Sequence, residues 1–321
     1  MRYLPAVAAL ITALAAATPV GAQQPSAKPP LVGWLRIYPP VASGDKLLPD
    51  LLAARGHIAG RTIRFETRSA DGEVNRFPAL ARELVGEGAA VLITFGSRAT
   101  RAARDETTAI PIVAATDLVG WGLAASMARP GGNVTGVHIH NAELDVKKLE
   151  ILKELLPTSR RIGVLSDASA LHSAQPIDDA ARALGFELTT VAVKDPTEFG
   201  AAFETFAKAS VNAVNISSTT LLASSFRLGL APLLRRHSIP AICEWREMAA
   251  SGCLASYGVT QNEFYTLIAD YVDRILKGAK PADLPIVHPT RFELVINKAV
   301  AREMGLTIQQ RMLELADEVI E

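Results

Sequence analysis

The order of predicted strands and helices in the first half of the chain returns in the second half, and this repeat limits the fold more than any other feature. The first series is strand 62–68, helix 76–86, strand 90–95, a further helix and a strand that starts at Ile110-Pro111. The second series is strand 187–193, helix 198–209, strand 213–216, helix 221–236 and a strand that starts at Ile239-Pro240. Both series read β-α-β-α-β, which predicts two similar lobes, and a cleft between lobes is a common place for a small-molecule site.

Short apolar runs mark the strands of these series and add others. They lie at residues 31–35, 90–95, 110–115, 162–165, 213–216 and 240–243. The runs do not alternate with polar residues, which is typical of strands that are buried on both faces. The sequence therefore predicts an α/β fold in which helices cover both faces of parallel sheets.

Residues 1–22 have the layout of a secretory signal. A basic residue precedes an apolar stretch at residues 6–17, and small residues follow at 20–22. This layout predicts cleavage after Ala22, export to the periplasm and a polar, Pro-rich linker at residues 23–30. The alternative is an uncleaved membrane anchor, although the apolar run is short for a bilayer span.

The charge balance argues against nucleic acid as a partner. Lys plus Arg and Asp plus Glu both count 33, so the formal net charge is zero and there is no basic excess to neutralise phosphates. The apolar fraction of 49% in 321 residues is enough for two cores.

Two cysteines, Cys243 and Cys253, are present in a chain that we expect to be exported. One pair is no disulfide framework. We therefore expect two buried free thiols, with a bridge as the alternative.

Six segments carry a pattern that is typical of one family. They are Leu80-Ala81-Arg82-Glu83-Leu84-Val85, Ile110-Pro111-Ile112-Val113, Ala128-Arg129-Pro130-Gly131-Gly132-Asn133-Val134-Thr135-Gly136, Lys148-Leu149-Glu150-Ile151-Leu152, Phe292-Glu293-Leu294-Val295-Ile296-Asn297 and Ala316-Asp317-Glu318-Val319-Ile320. In their order along the chain they resemble the ABC-type substrate-binding proteins of periplasmic-binding fold type I, which include tryptophan- and phenylalanine-binding members. The third segment is the most specific.

The resemblance implies two Rossmann-like lobes that are joined by a hinge and pass a small-molecule ligand to a membrane permease. We place the first lobe at residues 31–138 and 256–284, and the second at 139–255 and 285–321. The chain has no Gly-x-x-x-x-Gly-Lys-Ser/Thr motif, so ATP hydrolysis belongs to a separate ATPase subunit. We expect a monomer without cofactor, metal or catalytic residue, which meets the membrane only through the permease.

The ligand site is predicted from the general rule for open parallel sheets. The crevice lies beyond the carboxyl ends of the strands, where helix N-termini present free amides. The residues that this rule selects are Tyr38, Ser97, Arg98, Thr116, Asp117, Ser166, Asp167, Ser169, Ser217, Ser218, Thr219, Glu244 and Trp245.

Several roles are open for these side chains. Arg98 is a candidate for a ligand carboxylate, and Asp117 and Glu244 are candidates for a ligand ammonium. The hydroxyls either contact the ligand or cap their own helices, and Tyr38 and Trp245 either stack on the ligand or belong to the wall. Together they predict a small carboxylate-bearing ligand, either an amino acid or an aromatic or organic acid.

Two loops match the resembled family only in part. The family typically has Gly-Thr-Pro where this chain has Gly96-Ser97-Arg98, and Asp-Pro-Val at Asp117-Leu118-Val119. The positive charge at Arg98 replaces a neutral residue, which favours a more acidic ligand than an ordinary amino acid.

Three other functions are suggested by features of the sequence. A serine hydrolase would use Ser97, but this serine is not in a Gly-x-Ser-x-Gly motif and no histidine is marked as its base. A metal site would use His138 and His140, but no third ligand follows at a recognisable spacing, and we interpret them as a half-exposed pair on a strand near the lobe crossing. An exported module that reports its ligand to a receptor has the same fold, and the sequence does not separate it from a transport protein.

Overall fold

The fold was analysed in a computed structural model of the chain, which describes residues 28–39, 46–168 and 174–321. The predicted signal at 1–22, most of the predicted linker and the predicted site residue Ser169 lie outside these residues.

The described residues form two separate sheets. The strands, in chain order, are β1 (Leu31–Arg36), β2 (Arg64–Ser69), β3 (Ala89–Phe95), β4 (Ile112–Ala115), β5 (Val134–Val137), β6 (Arg161–Asp167), β7 (Glu187–Val193), β8 (Ala213–Ile216), β9 (Ala241–Cys243), β10 (Ala255–Val259), β11 (Phe292–Asn297) and β12 (Glu318–Ile320). The first sheet has the order β2-β1-β3-β4-β5 and is parallel throughout. The second has the order β12-β11-β10-β9-β8-β6-β7, and only its β10–β11 pair is antiparallel.

Helices cover both sheets. In chain order they are α1 (Leu47–Ala53), α2 (Phe77–Gly86), α3 (Ser97–Glu106), α4 (Asn141–Leu155), α5 (Ala174–Leu184), α6 (Phe199–Lys208), α7 (Thr220–Ser225), α8 (Ala231–His237), α9 (Arg246–Ala250), α10 (Gln261–Leu276), α11 (Lys298–Glu303) and α12 (Gln310–Leu315). We call the five-stranded sheet with α1, α2, α3 and α10 the first lobe, and the seven-stranded sheet with the remaining helices the second lobe. No helix in the described part of the chain has the length and apolar character that crossing a membrane requires.

The apolar strands are buried from both sides, as their lack of alternation predicts. In β3, Val91 and Ile93 enter the core under α1 and α10, while Leu92 points to the opposite core under α2 and α3. The second lobe likewise has one core on each face of its sheet, and the stripe of Phe199, Phe203 and Phe206 lies in one of them. The prediction of two α/β lobes with doubly covered sheets is confirmed.

The chain passes between the lobes three times, next to the carboxyl ends of β5 and β10. The first crossing follows β5, the second lies at Thr260, and the third runs from residue 288 to β11. The backbone amide of Thr260 donates to the carbonyl of Arg291 (3.0 Å), so the second and third crossings lie side by side. β10 ends at the second crossing and β11 begins at the end of the third. Because these two crossings lie side by side, β11 runs antiparallel to β10.

The crossings differ slightly from the predicted lobe boundaries. The predicted boundary at residue 256 lies inside β10, which pairs with β9 and β11 of the second lobe. The predicted start of the last segment at 285 is also early, because Ile286 and Val287 donate backbone hydrogen bonds to Met127 and Gly136 of the first lobe (2.7 and 3.1 Å).

The run from Arg129 to Gly136 leads from a turn into β5, the strand before the first crossing. Gly131 takes a positive φ of 77° in this turn. Gly136 has a φ of 138°, and a Cβ built there would lie 2.1 Å from the carbonyl oxygen of Ala114 on β4. The specific family segment therefore allows the backbone of β5 to lie close against β4.

The expectation of two free thiols is wrong, because Cys243 and Cys253 form a disulfide between Cα atoms 6.4 Å apart. Cys243 ends β9, and α9 returns the chain so that Cys253 comes just before β10, the neighbour of β9 in the sheet. Both side chains are fully buried. The cysteine count alone does not show that a five-residue helix closes this loop.

We expect reduction of this bridge to lower the free energy of unfolding by about 2–3 kcal/mol, because a loop of roughly ten residues gains that much conformational entropy when it opens. Urea unfolding with and without a phosphine reductant measures the loss. The double variant Cys243→Ala with Cys253→Ala is the control, and its unfolding curve should not respond to the reductant. Alkylation of both cysteines in unreduced, unfolded protein would contradict the bridge.

Candidate functional site

A cleft with a volume of about 1130 Å³ separates the two lobes. Its wall is built from the segments that follow β1, β3 and β4 in the first lobe and β6, β8 and β9 in the second. This is the edge at which parallel strands present their carboxyl ends and the amides of the following helices.

Most of the predicted site residues lie on the cleft wall. They are Tyr38, Ser97, Arg98, Thr116, Asp117, Asp167, Ser218, Thr219, Glu244 and Trp245. Ser166 lines a small adjoining pocket of about 20 Å³ instead. Ser217 directly follows β8, is buried and is not among the residues that line the cleft. The structure thus brings most of the predicted residues together, while Ser169 lies outside the described chain.

The two lobes touch across the cleft. A guanidinium nitrogen of Arg98 lies 3.2 Å from a carboxylate oxygen of Asp167, and this pair joins α3 to the end of β6. The hydroxyl of Ser225 donates to the hydroxyl of Tyr38 (3.2 Å). A Cβ built at Gly96 would lie 2.9 Å from Oγ1 of Thr220, so the two backbones approach closely there. These contacts define a closed arrangement of the lobes.

Some acidic and hydroxyl side chains of the wall hydrogen-bond to their own loop, and one has no hydrogen-bond partner within the described residues. Asp117 accepts the backbone hydrogen bond of Gly120 (2.7 Å) and so closes its own turn. Thr219 caps α7 by accepting from the amide of Leu222 (3.4 Å). The hydroxyl of Ser218, in contrast, is buried and has no hydrogen-bond partner within the described residues.

Glu244 is the most strongly perturbed acidic group of the cleft. Its side chain is buried, with 6% exposed, although it lines the cleft. Burial raises the pKa of Glu244 to about 7; the ammonium of Lys148 opposes this rise, and the carboxylate of Asp145 adds to it. A carboxyl group with such a pKa exchanges its proton close to neutral pH.

Aromatic rings form a row along the hinge side of the cleft, and sequence reasoning missed most of them. Ring centroids are 5.4 Å apart for Trp34 and Phe95, 5.1 Å for Phe95 and Phe264, and 5.5 Å for Phe264 and Trp245. Tyr265 joins the row beside Phe264. The signal was present, because Phe264 and Tyr265 stand at the start of α10, which follows a crossing. The predicted site loops, however, follow the six apolar runs, and β10 is not one of these runs.

Three histidines meet at the hinge. His138 and His140 follow β5, and His288 lies in the third crossing, with ring centroids 4.2 Å (138–140), 5.0 Å (138–288) and 4.6 Å (140–288) apart. The interpretation as a half-exposed pair on a strand is wrong for His138, which is 4% exposed and lies beyond the strand end. Among the described residues no group of three or more His, Cys, Asp or Glu side chains is arranged to hold a metal ion.

The environment of His138 opposes its protonation. Burial and the neighbouring rings of His140 and His288 lower the pKa of His138 to about 4, while the carboxylates of Asp117 and Glu143 act in the opposite direction. Its Nδ1 is buried without a hydrogen-bond partner and lies 3.6 Å from a carboxylate oxygen of Asp117.

We expect this histidine to make the fold sensitive to acid. The unfolded chain protonates His138 near pH 6.5 and the folded chain only near pH 4, so its contribution to stability is lost as the pH falls through this window, by up to about 3 kcal/mol. The raised pKa of Glu244 changes the stability in the opposite direction as the pH falls. Wild type is therefore compared with His138→Gln, because both proteins contain Glu244. Urea unfolding at pH 6.5, 5.5 and 4.5 should show a larger loss for wild type, and parallel pH profiles would contradict the account.

Within the described residues, no histidine hydrogen-bonds to a serine hydroxyl, and the hydrogen-bonded side-chain partner of His57 is Asp273 (2.8 Å) on the far side of the first lobe. What the site offers instead is a cleft with aromatic, cationic and acidic groups that face one enclosed volume.

The chain is similar to known binding proteins over most of its length. The tyrosine-binding protein of Clostridioides difficile (strain R20291) is 23% identical over 274 residues, which cover 84% of this chain and 78% of that protein. A solved ABC domain from Streptococcus pneumoniae in complex with L-Trp is 26% identical, has a TM-score of 0.82, and the alignment covers 91% of this chain and 100% of that one. A conserved domain protein from Vibrio cholerae has the same identity and coverage with a TM-score of 0.83.

These neighbours confirm the type I periplasmic-binding fold and the family resemblance that the sequence segments indicate. The sequence signature of the family described as ABC transporter substrate binding protein matches residues 46–320, which include all the crossings and both lobes except β1. The chain therefore belongs to the ABC transporter substrate binding protein family.

Proposed function

We propose that this chain is the periplasmic component of an ABC importer and captures a small carboxylate-bearing molecule with an aromatic body. The observation that carries the proposal is the row of aromatic rings along the same cleft wall as Arg98 and the first residues of α3. Flat apolar rings suit an aromatic ligand, and a guanidinium beside a helix N-terminus suits a carboxylate. The Trp- and Tyr-binding relatives support the same ligand class.

In this proposal the ligand holds the lobes together. It contacts loops from both lobes and so favours the arrangement in which Arg98 meets Asp167 and Tyr38 meets Ser225. The permease then recognises the closed form, and a separate ATPase subunit drives transport. No bond of the ligand is broken, so the site needs orientation and enclosure and no catalytic group.

A thermal-shift screen tests the proposal with the protein that lacks residues 1–22. We expect stabilisation by at least one of L-tryptophan, L-tyrosine, L-phenylalanine, indole-3-propionate and benzoate, and none by the control ligands arabinose and glucose. A ligand at a hundred times its dissociation constant adds about 2.7 kcal/mol to the free energy of unfolding. Stabilisation by a sugar alone, or hydrolysis of an ester probe, would contradict the proposal.

Arg98 gives a sharper test of the carboxylate contact. We expect Arg98→Gln to raise the Kd of the best carboxylate ligand by about tenfold or more, because a charge-assisted hydrogen bond is worth about 1.5–3 kcal/mol. Arg101→Gln is the matched control, since Arg101 lies on the same helix but outside the cleft wall. Calorimetric titration measures both, and equal effects of the two substitutions would contradict the role of Arg98.

A further inference from the structure

The second lobe holds an unbalanced group of buried charges beside the cleft. The ammonium of Lys148 is fully buried, lies 2.7 Å from a carboxylate oxygen of Asp145 and donates to the carbonyl of Ile216 (2.5 Å). Asp145 accepts a further hydrogen bond from the amide of Ser218 (3.0 Å). The charges of Lys148 and Asp145 therefore balance each other. Glu244 is a second carboxyl group that interacts with the same ammonium of Lys148.

The side chain of Glu244 is held in place at the cleft by its backbone surroundings. Glu244 directly follows β9, and Gly258 on β10 packs against it so closely that a Cβ at Gly258 would lie 2.4 Å from the carbonyl oxygen of Glu244 and 2.9 Å from its Cγ. The charged groups that face the Glu244 carboxyl are Lys148 and Asp145, both on α4. The carboxyl group thus has a fixed place on the wall and no cation of its own.

The hydroxyl of Ser218 is a second polar group at this part of the wall. Ser218 is 2% exposed, lines the cleft and follows β8, the strand next to β9. Its hydroxyl oxygen has no hydrogen-bond partner within the described residues. A buried hydroxyl without a partner costs about 1–3 kcal/mol unless a bound molecule supplies the missing hydrogen bond. The strand ends therefore present two acceptors, one of them acidic, to the same enclosed volume.

We propose that Glu244 and the hydroxyl of Ser218 form an ammonium subsite, which selects ligands that carry a primary amine over otherwise identical acids. A ligand ammonium supplies the positive charge that balances the second buried carboxylate and donates to the unpartnered hydroxyl. This inference rests on the proposed function and narrows it, since an aromatic acid alone no longer suffices and an aromatic amino acid is required.

The acidity of Glu244 fits this role and gives it a pH signature. Its pKa of about 7 in the protein without ligand means that, below pH 7, a cation must displace a proton from the carboxyl group. The Kd of an amine-bearing ligand should therefore rise about tenfold between pH 8 and pH 6. The opposite role, in which protonated Glu244 donates to a ligand carboxylate, predicts that the Kd falls over the same interval.

Calorimetric titration with a matched pair of ligands tests the subsite. L-Tryptophan and indole-3-propionate share the ring and the carboxylate, and only the amino acid has the ammonium. We expect wild type to bind L-tryptophan at least tenfold more tightly, Glu244→Gln to abolish both this preference and its pH dependence, and Ser218→Ala to reduce the preference several-fold. Glu247→Gln is the control, because Glu247 also lines the cleft but is exposed, and it should keep the full preference.

The outcomes separate this inference from the proposed function. Equal or tighter binding of indole-3-propionate by wild type overturns the ammonium subsite and leaves the capture of an aromatic acid intact. An unchanged preference in folded Glu244→Gln, or a Kd that falls on acidification, also overturns it. If Glu244→Gln fails to fold, the ligand pair and the pH series on wild type still decide. Binding of neither ligand, nor of the tyrosine and phenylalanine pairs, rejects the proposed function and the subsite together.

Discussion

Burial of the parallel strands on both faces determines where polar side chains can lie in this molecule. Once helices bury both faces of each sheet, polar side chains have no place along the strands and gather where the strands end. Three crossings of the chain between the lobes turn the two strand-end edges toward each other. The cleft is thus a consequence of how the strands are buried, and its chemistry is set by the few residues that follow each strand.

The two walls of this cleft differ in their charged side chains. On the first lobe, Arg98 projects from the start of a helix and meets Asp167 of the other lobe. On the second lobe, Lys148 is already satisfied by Asp145, so Glu244 is left as surplus acid in a place from which water is largely excluded. In the proposed binding mode, a zwitterion would place its carboxylate near Arg98 and its ammonium near Glu244. The uncharged body of such a ligand would lie against the aromatic row at the hinge.

The strand ends and most of the wall residues were predictable because they depend on local patterns. Non-alternating apolar runs identify strands such as β3 and β8, and the residue after a strand follows by counting. The disulfide was not predictable in this way, because it depends on the geometry with which α9 returns the chain to β9. The same holds for His288 and Phe264, which reach the hinge and the cleft only because the second and third crossings lie beside the first. Ser217 shows the limit of counting along the chain, because it directly follows β8 and yet does not line the cleft, whereas Ser218 does.

In the proposed binding mode, loops of both lobes hold the ligand at the same time. Hydrogen–deuterium exchange with the ligand that gives the largest thermal shift tests it directly, at the backbone amides of residues 96–100 in the first lobe and 217–222 in the second. Saturation with this ligand should slow exchange in both segments, since each borders the cleft and they approach each other at Gly96 and Thr220. Slower exchange in only one segment, or in neither, would contradict a site that bridges the lobes.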